Sequence, residues 1–182
     1  MMIYIALLRG INVGGRNKIK MADLRAVLEN RGLKQVKTYI QSGNVLFESD
    51  KEESTLVPEI EEEIHTSFGI ELKVMLRSSE EFKDLVTNSP FAGRELSDGE
   101  SLYVSLLGEP LTGDQVQKLE QCEQADDEFA VIGRDVYFLF RQSILDSKLG
   151  DALNKLKIPS TSRNWNTMNK LNALAQEMQL QG

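Results

Sequence analysis

The chain has few of the residues from which catalytic and metal centres are usually built. Its 182 residues include one cysteine, Cys122, and one histidine, His65. A single cysteine excludes an internal disulfide and offers no basis for a thiolate metal site, which agrees with a reducing compartment. His65 stands between apolar helix positions and beside a run of glutamates, so we interpret it as a surface residue. The sequence therefore names no nucleophile or general base. It leaves open whether the protein is an enzyme and gives no reason to expect a metal or cofactor.

Long apolar runs are also missing. The run Ile3 to Leu8 near the N-terminus is far too short to span a bilayer, and it lacks the basic flank and cleavage site of a signal peptide. With 41% apolar and 27% charged residues, the composition is that of a globular protein. We therefore expect a cytoplasmic protein without a membrane partner.

Negative charge dominates, and the formal net charge of −7 argues against a general nucleic-acid binder. The distribution is uneven, because five cations and one anion give residues 9–25 a charge of +4 and leave −11 on the rest of the chain. Residues 148–170 hold another five cations and one anion. These two basic islands keep nucleic acid open as a partner, although the net charge disfavours it.

Hydrophobic periodicity predicts a β-α-β-β-α-β order in residues 1–77, which is the ferredoxin-like arrangement. The predicted strands are 3–8, 36–40, 44–48 and 72–76, and the predicted helices begin at Met21 and near Ser54, taken as a helix cap. The short segment Gln41 to Gly43 is the turn of a hairpin between the second and third strands.

Residues 78–182 are predicted to repeat this order of strands and helices imperfectly. The spacing of Ser78 with Glu81, and of Thr112 with Gln115, is that of a capping box and predicts two helix starts. The other predicted elements are strands 102–107, 129–132 and 136–140, a helix over 144–156, and a C-terminal helix that opens at residue 161. The expected fold is α+β: two ferredoxin-like (βαββαβ-type) modules, the second imperfect, plus a C-terminal helix. We place the domains at 1–77 and 78–182, which could pack as one compact unit.

The most distinctive segment lies between the first strand and the first helix, from Arg9 to Lys18 (RGINVGGRNK). Its glycines allow positive φ and a close approach of the backbone to a ligand, while amide N–H groups and cationic side chains supply donors for an anion. Gly10 and Gly15 have the spacing of the two glycines in the P-loop pattern Gly-x-x-x-x-Gly-Lys-[Ser/Thr]. However, Arg16 and Asn17 replace the lysine and the hydroxyl residue of that pattern, so nucleotide hydrolysis is disfavoured.

A second polar segment, Thr161 to Thr167 (TSRNWNT), opens the last helix in this prediction. One interpretation is capping, because the first four N–H groups of a helix lack intrahelical partners. The other is an anion site, because a helix N-terminus beside Arg163 favours negative charge. Both interpretations stay open at the level of sequence.

Four segments resemble the uncharacterised bacterial family called domain of unknown function 1697. They are residues 4–15 (YIALLRGINVGG), 21–25 (MADLR), 38–45 (TYIQSGNV) and 161–167 (TSRNWNT). The similarity covers nearly the whole chain. Where the family commonly has Gly-Gly-Lys-Asn, this chain has Arg16 in place of the lysine, which keeps the charge and changes its geometry. The resemblance implies family membership and supports the choice of segments, but it implies no catalytic residues.

Polar residues at strand ends, turns and a helix start predict a site for a small anionic or phosphorylated ligand, such as a nucleotide. We expect it in a cleft between the Gly-rich loop and the start of the C-terminal helix. The candidate ligand-binding residues are Arg9, Gly10, Asn12, Gly14, Gly15, Arg16, Asn17, Lys18, Gln41, Asn44, Arg163, Asn164, Trp165 and Thr167.

Two alternatives belong to other classes of function. One is a nucleic-acid-binding accessory protein that uses the two basic islands. An RNA-recognition module in particular is disfavoured, because the positions at which its strands stack bases hold Asn44 and Leu46 here. The other is a purely structural or interaction domain, in which the same polar residues hold the loops together. The oligomeric state is not indicated by the sequence.

Overall fold

The computed structural model describes residues 1–122, 126–141, 143 and 147–182. These residues form two compact units, one made of Met1–Asp84 with Lys170–Gly182 and the other of Leu85–Asn169. The domain limits expected from the sequence, 1–77 and 78–182, stay a prediction.

The first unit is built on a four-stranded antiparallel sheet with the strand order β2-β3-β1-β4. Its elements are β1 (Met2–Leu8), α1 (Met21–Asn30), β2 (Lys34–Tyr39), β3 (Asn44–Ser49), α2 (Glu53–Phe68) and β4 (Val74–Ser78), and α3 (Ser79–Thr87) begins directly after β4. This order of elements is the predicted ferredoxin-like arrangement.

The core of the first unit lies between one face of this sheet and the helices α1 and α2. Tyr4, Ala6 and Leu8 alternate along β1 and belong to this core. They meet helix residues spaced three or four apart, namely Leu24 and Leu28 of α1 and Leu56, Ile60 and Ile64 of α2. The intervening β1 residues, Ile3, Ile5 and Leu7, are buried as well. Both faces of the central strand are therefore covered, which explains its uninterrupted apolar sequence.

The second unit repeats the order of the first. Its elements are β5 (Ser101–Leu107), α4 (Gly113–Glu120), β6 (Glu128–Ile132), β7 (Asp135–Phe140), α5 (Lys148–Lys155) and β8 (Ser160–Asn164), followed by the start of α6 (Trp165–Gln181). The strand order β6-β7-β5-β8 matches that of the first sheet position by position. Its core contains Leu107, Leu119, Val136, Phe138, Phe140, Leu149 and Leu153. The predicted α+β class with two ferredoxin-like modules is confirmed.

Strand β8 corrects the prediction that the last helix opens at residue 161. Residues 160–164 pair antiparallel with β5, and the helix begins only at Trp165. A run of serine, threonine, arginine and asparagine lacks the apolar alternation by which a strand is recognised. It is extended here because β5 offers its backbone hydrogen-bonding partners along one edge. The second module is therefore complete rather than imperfect.

Both predicted capping boxes are confirmed. The side chain of Thr112 accepts a hydrogen bond from the backbone N–H of Gln115, and the Gln115 side chain accepts one from the N–H of Thr112. At the start of α3 the Ser78 N–H donates to Glu81 Oε2 over 2.8 Å, and the Glu81 N–H donates to Ser78 Oγ over 3.2 Å. Each pair satisfies two backbone donors that the helix itself leaves without partners.

Two other helix starts differ from the prediction. Ser54 is not a cap, because α2 begins one residue earlier, at Glu53, and its extended N-cap residue makes no side-chain cap bond. The helix predicted over 144–156 is α5, which begins at Lys148, while residues 144–146 lie outside the described residues. Among the described helices, none combines the length and the apolar character needed to cross a bilayer.

Gly43, in the turn between β2 and β3, is the glycine whose replacement should cost most. Its φ is +87°, and a Cβ atom there would lie 2.6 Å from Ile11 Cδ1 and 2.9 Å from Leu8 Cβ. We expect Gly43→Ala to lower the free energy of unfolding by about 2–4 kcal/mol, because backbone strain and overpacking add. Urea unfolding followed by circular dichroism would measure the loss.

Gly10→Ala is the matched control for this substitution. Gly10 has a similar φ of +75°, but a Cβ atom there would meet nothing within 4 Å. Its expected cost is therefore the backbone strain alone, about 1 kcal/mol. Equal losses in the two variants would contradict the close packing of Ile11 and Leu8 on the turn.

Candidate functional site

The Gly-rich segment is fixed at the end of β1 by backbone hydrogen bonds to two neighbouring loops. The Leu8 N–H donates to the Gly43 carbonyl over 2.9 Å, and the Arg9 N–H donates to the Lys73 carbonyl over 3.2 Å. Ile11, two residues further on, is 1% exposed and anchors the segment in the core. The chain therefore leaves the sheet in a defined direction, and we call residues 9–20 the basic loop.

The tip of the basic loop is a miniature hairpin. Val13 and Arg16 form an isolated antiparallel bridge, and the Arg16 N–H donates to the Val13 carbonyl over 2.9 Å. Gly14 and Gly15 between them have φ values of +57° and +75°. Positive φ at both central residues is the signature of a type I′ turn, which glycine adopts without steric cost.

Asn12 holds the base of this hairpin with its side-chain amide. Its Nδ2 donates to the carbonyls of Gln41, over 2.7 Å, and of Ile19, over 3.0 Å. Its Oδ1 accepts from the Ile19 N–H over 2.9 Å. With a φ of +54°, Asn12 adopts a left-handed conformation that asparagine tolerates better than most residues. This amide ties the two ends of the basic loop to the turn between β2 and β3.

Two other asparagines among the candidate ligand-binding residues are likewise hydrogen-bonded to the protein. Asn17, also at positive φ, donates from Nδ2 to the Gly10 carbonyl over 3.1 Å. Asn44 is fully buried, and its Nδ2 donates to the Tyr39 carbonyl over 2.8 Å and to Ser42 Oγ over 2.9 Å. The amides that sequence reasoning assigned to a ligand therefore shape the loops, and their contact with a ligand stays a prediction.

The basic loop, the start of α1 and the end of α2 surround a pocket of about 640 Å³, which we call the loop pocket. It is lined by Asn12, Gly15, Lys18, Ile19, Lys20, Asp23, Gln41 and Phe68. Ile19 is 3% exposed and Phe68 is partly buried, so these two side chains supply an apolar wall. Lys18 and Lys20 are exposed and form a cationic rim. The structure thus brings together the basic loop and the turn at Gln41.

Four cations of the basic loop are exposed: Arg9, Arg16, Lys18 and Lys20. Within the part of the chain that the structure describes, no salt bridge or hydrogen bond engages any of these four side chains. The fifth cation of the basic island, Arg25, donates from Nη1 to Thr38 Oγ1 over 3.3 Å. Among the described residues, one loop of this acidic protein therefore carries four cations that have no salt-bridge partner.

The polar segment around Arg163 belongs to the second unit, whereas the basic loop belongs to the first. Arg163 lies on β8 with 9% exposure, and its Nη1 donates to Thr161 Oγ1 and to the Ser162 carbonyl, each over 2.9 Å. Burial lowers the pKa of its guanidinium to about 10, because the charged form loses hydration. This arginine is a packed residue of the sheet rather than part of a helix start.

The helix start itself is formed by the residues after Arg163. Asn164 Oδ1 accepts from the Thr167 N–H over 2.8 Å and caps α6. Trp165 is the first residue of that helix, and its carbonyl accepts from Asn169 Nδ2 over 3.1 Å. Thr167 is 5% exposed. The capping interpretation of this segment is therefore confirmed for Asn164.

Sequence reasoning missed a second buried arginine, Arg77 on β4, which is 2% exposed and donates from Nη1 to the Leu76 carbonyl over 2.9 Å. Arg77 and Arg163 are each the fourth residue of the last strand of their module. Each also precedes a residue that caps the next helix, Ser78 and Asn164. Both modules thus contain an arginine followed directly by a helix-capping residue. This shared pair of residues could have identified both the buried Arg77 and strand β8 from the sequence.

The surroundings of the single histidine and the single cysteine do not indicate a catalytic or metal site. The His65 side chain is 58% exposed, as predicted, with its Nε2 3.8 Å from Glu71 Oε1. Cys122 Sγ lies 3.4 Å from the Lys148 carbonyl. Among the described residues, no group of three His, Cys, Asp or Glu side chains could hold a metal ion.

Replacing Asn12 tests how the basic loop is held. We expect Asn12→Ala to lower the free energy of unfolding by about 2–3 kcal/mol, because it removes three hydrogen bonds and leaves a left-handed alanine. Asn12→Asp, which keeps the acceptor for the Ile19 N–H but places a carboxylate against two carbonyls, should also be destabilising. Arg16→Ala should change stability by less than about 0.5 kcal/mol. Chemical unfolding measures all three, and an unaffected Asn12→Ala variant would contradict this role.

Comparisons with known proteins agree with the fold. The family described as "Protein of unknown function (DUF1697)" matches residues 1–137. A solved structure of a conserved bacterial protein from Streptococcus pneumoniae is similar with a TM-score of 0.77 and 32% sequence identity, over 96% of this chain and 98% of that chain. No curated protein matches the sequence. The chain therefore belongs to the DUF1697 family.

Proposed function

We propose that the protein binds a small anionic ligand of the phosphorylated type, such as a nucleotide, in the loop pocket. The observation that carries this proposal is a pocket with an apolar wall and two exposed lysines on its rim, Lys18 and Lys20, whose side chains have no partner in the described residues. Arg9 and Arg16 belong to the same loop but not to the lining of the pocket. A bound anion would supply the counter-charge for the two lysines. A cytoplasmic location belongs to the proposal and agrees with the single cysteine.

The cationic rim and the backbone would hold the anionic group. Lys18 and Lys20 can donate charge-assisted hydrogen bonds to phosphate or carboxylate oxygens. Lys20 is also the N-cap residue of α1, and its side chain makes no cap bond with the first turn. The first N–H groups of a helix have no intrahelical partners, and together with the helix dipole they favour negative charge at the same place. Gly15 lets the backbone come close to the ligand.

The rest of the lining favours a ligand with an apolar or aromatic body. Ile19 and Phe68 offer a surface against which a ring can pack, as is typical of small-molecule pockets. Asp23, in the first turn of α1, is the single anion of the lining and would repel a phosphate placed beside it. It can instead accept a hydrogen bond from a hydroxyl or amino group. This combination of cationic rim, apolar wall and one acceptor fits a nucleotide better than inorganic phosphate.

Ligand binding should raise the melting temperature. We expect one or more nucleotides or phosphorylated metabolites, at about one hundred times the dissociation constant, to raise it by about 5–10 °C. The double variant Lys18→Ala, Lys20→Ala should weaken binding at least about tenfold, because it removes two charge-assisted contacts. Thermal unfolding with a panel of phosphate, nucleotides, small carboxylates and short oligonucleotides measures both effects.

Lys34→Ala is the control, because it removes an exposed lysine of the same unit that lies outside the loop pocket. It should leave the ligand-induced shift unchanged. A panel without any shift, or a shift that survives in the double variant, would contradict the proposal. A shift only with oligonucleotides, falling steeply as salt rises, would instead support the nucleic-acid alternative.

A further inference from the structure

The loop pocket contains one acidic side chain in its lining, that of Asp23. Lys20 is the N-cap residue of α1, and Asp23 is the third residue of that helix. In a capping box the residues at these two positions exchange hydrogen bonds, so they are close neighbours. Asp23 is exposed, and within the described residues its carboxylate makes no hydrogen bond and no salt bridge. The pocket therefore presents an unused acceptor beside its two lysines.

A carboxylate beside Lys18 and Lys20 restricts which ligands the loop pocket can hold. A phosphate bound by the lysines is repelled by Asp23 if the two anions touch. An ammonium group of a ligand would suit Asp23, but the two lysines would repel it. A neutral hydroxyl group avoids both kinds of repulsion. Because an ionised carboxylate has two oxygens and only accepts hydrogen bonds, it suits a pair of adjacent hydroxyl groups.

The apolar wall indicates what lies beyond these hydroxyl groups. Ile19 and Phe68 line the same pocket, and its volume of about 640 Å³ is typical of small-molecule sites. A ligand that matches the whole lining has an anionic group, a neutral hydroxyl pair and a flat apolar body. A 5′-ribonucleotide has all three, because its ribose carries two hydroxyl groups and stands between the phosphate and the base.

We propose that the loop pocket selects ribonucleotides by the free 2′,3′-diol of their ribose, an inference that rests on the ligand binding proposed above. The two hydroxyl groups donate to the carboxylate of Asp23, while Lys18 and Lys20 hold the phosphate and the base lies against Phe68. Carboxylates that accept hydrogen bonds from ribose hydroxyl groups recur among nucleotide-binding proteins. Inside an RNA strand the 3′ oxygen is esterified, so this recognition favours mononucleotides over strands.

Titration calorimetry of the full chain tests this selection with AMP, GMP, CMP and UMP and with their 2′-deoxy counterparts. We expect the ribonucleotide that binds best to bind at least about tenfold more tightly than its 2′-deoxy counterpart, because the latter lacks one hydrogen bond to a charged group. Ribose 5-phosphate has the diol but no base, so it should bind at least about tenfold more weakly than the nucleotide. Equal binding of ribose 5-phosphate would overturn the assignment to nucleotides in favour of a sugar phosphate.

Asp23→Asn isolates the contribution of the carboxylate. This variant keeps the size of the side chain, removes its charge and leaves one acceptor oxygen. The ratio of the 2′-deoxy to the ribo dissociation constant should fall below about threefold. The ratio is the quantity to measure, because relief of the repulsion between Asp23 and the phosphate changes both constants alike. A purely structural role of Asp23 would likewise leave the ratio unchanged. Circular dichroism and the melting temperature establish that the variant is folded.

Glu29→Gln is the matched control, because Glu29 is an exposed carboxylate of the same helix that lies outside the pocket lining. It should keep the wild-type ratio. Equal binding of the ribo and 2′-deoxy forms by the wild type, or a ratio that survives Asp23→Asn, overturns this inference and leaves the proposed anion binding intact. Binding of another phosphorylated ligand but of no nucleotide has the same meaning. A chain that binds no anion at all overturns both.

Discussion

Strand β1 is the constraint on which the first unit depends. It is hydrogen-bonded to β3 on one side and to β4 on the other, and six of its seven residues are buried. Because residues 3–8 are buried, the chain that follows them becomes accessible to solvent only after Leu8, where the strand ends. At that point the N–H groups of Leu8 and Arg9 are bonded to the carbonyls of Gly43 and Lys73. The central strand and its neighbours thus decide where the basic loop begins and which turn it meets.

The two modules share their packing and differ in this loop. The connection between the first strand and the first helix runs over residues 9–20 in the first module and over residues 108–112 in the second. Both modules place a buried arginine in the last strand, Arg77 or Arg163, so that feature belongs to the architecture. A longer loop costs more conformational entropy to order, and asparagine amides together with the buried side chains of Ile11 and Ile19 order this one. A feature that the fold does not require, but that is nevertheless held in one conformation, is where a binding function is best sought.

The order of the elements could be predicted because it rests on local patterns. The apolar run of β1 and the capping pairs at Ser78 and Thr112 each point to one local structure without knowledge of the rest. Strand β8 could not be predicted in the same manner. Its residues favour caps and turns when taken alone, and they become a strand only because β5 has a free edge beside them. Arg163 is likewise buried because it lies on this paired strand, although a charged side chain taken alone favours an exposed position.

The sequence points to the basic loop as a structured polar segment, but it does not predict how the residues of that loop are arranged. Glycines, asparagines and cations in one segment indicate a structured polar loop, but the sequence does not say which of them face inward. Asn12 and Asn17 lie at positive φ with their amides on backbone carbonyls, so they are part of the loop's internal framework. Their hydrogen bonds order the backbone from which Lys18 and the other loop cations project. For the ligand binding proposed above, an ordered backbone lowers the entropic cost, because the ligand need not order the loop itself. Which amides belong to this internal framework is visible only in the three-dimensional structure.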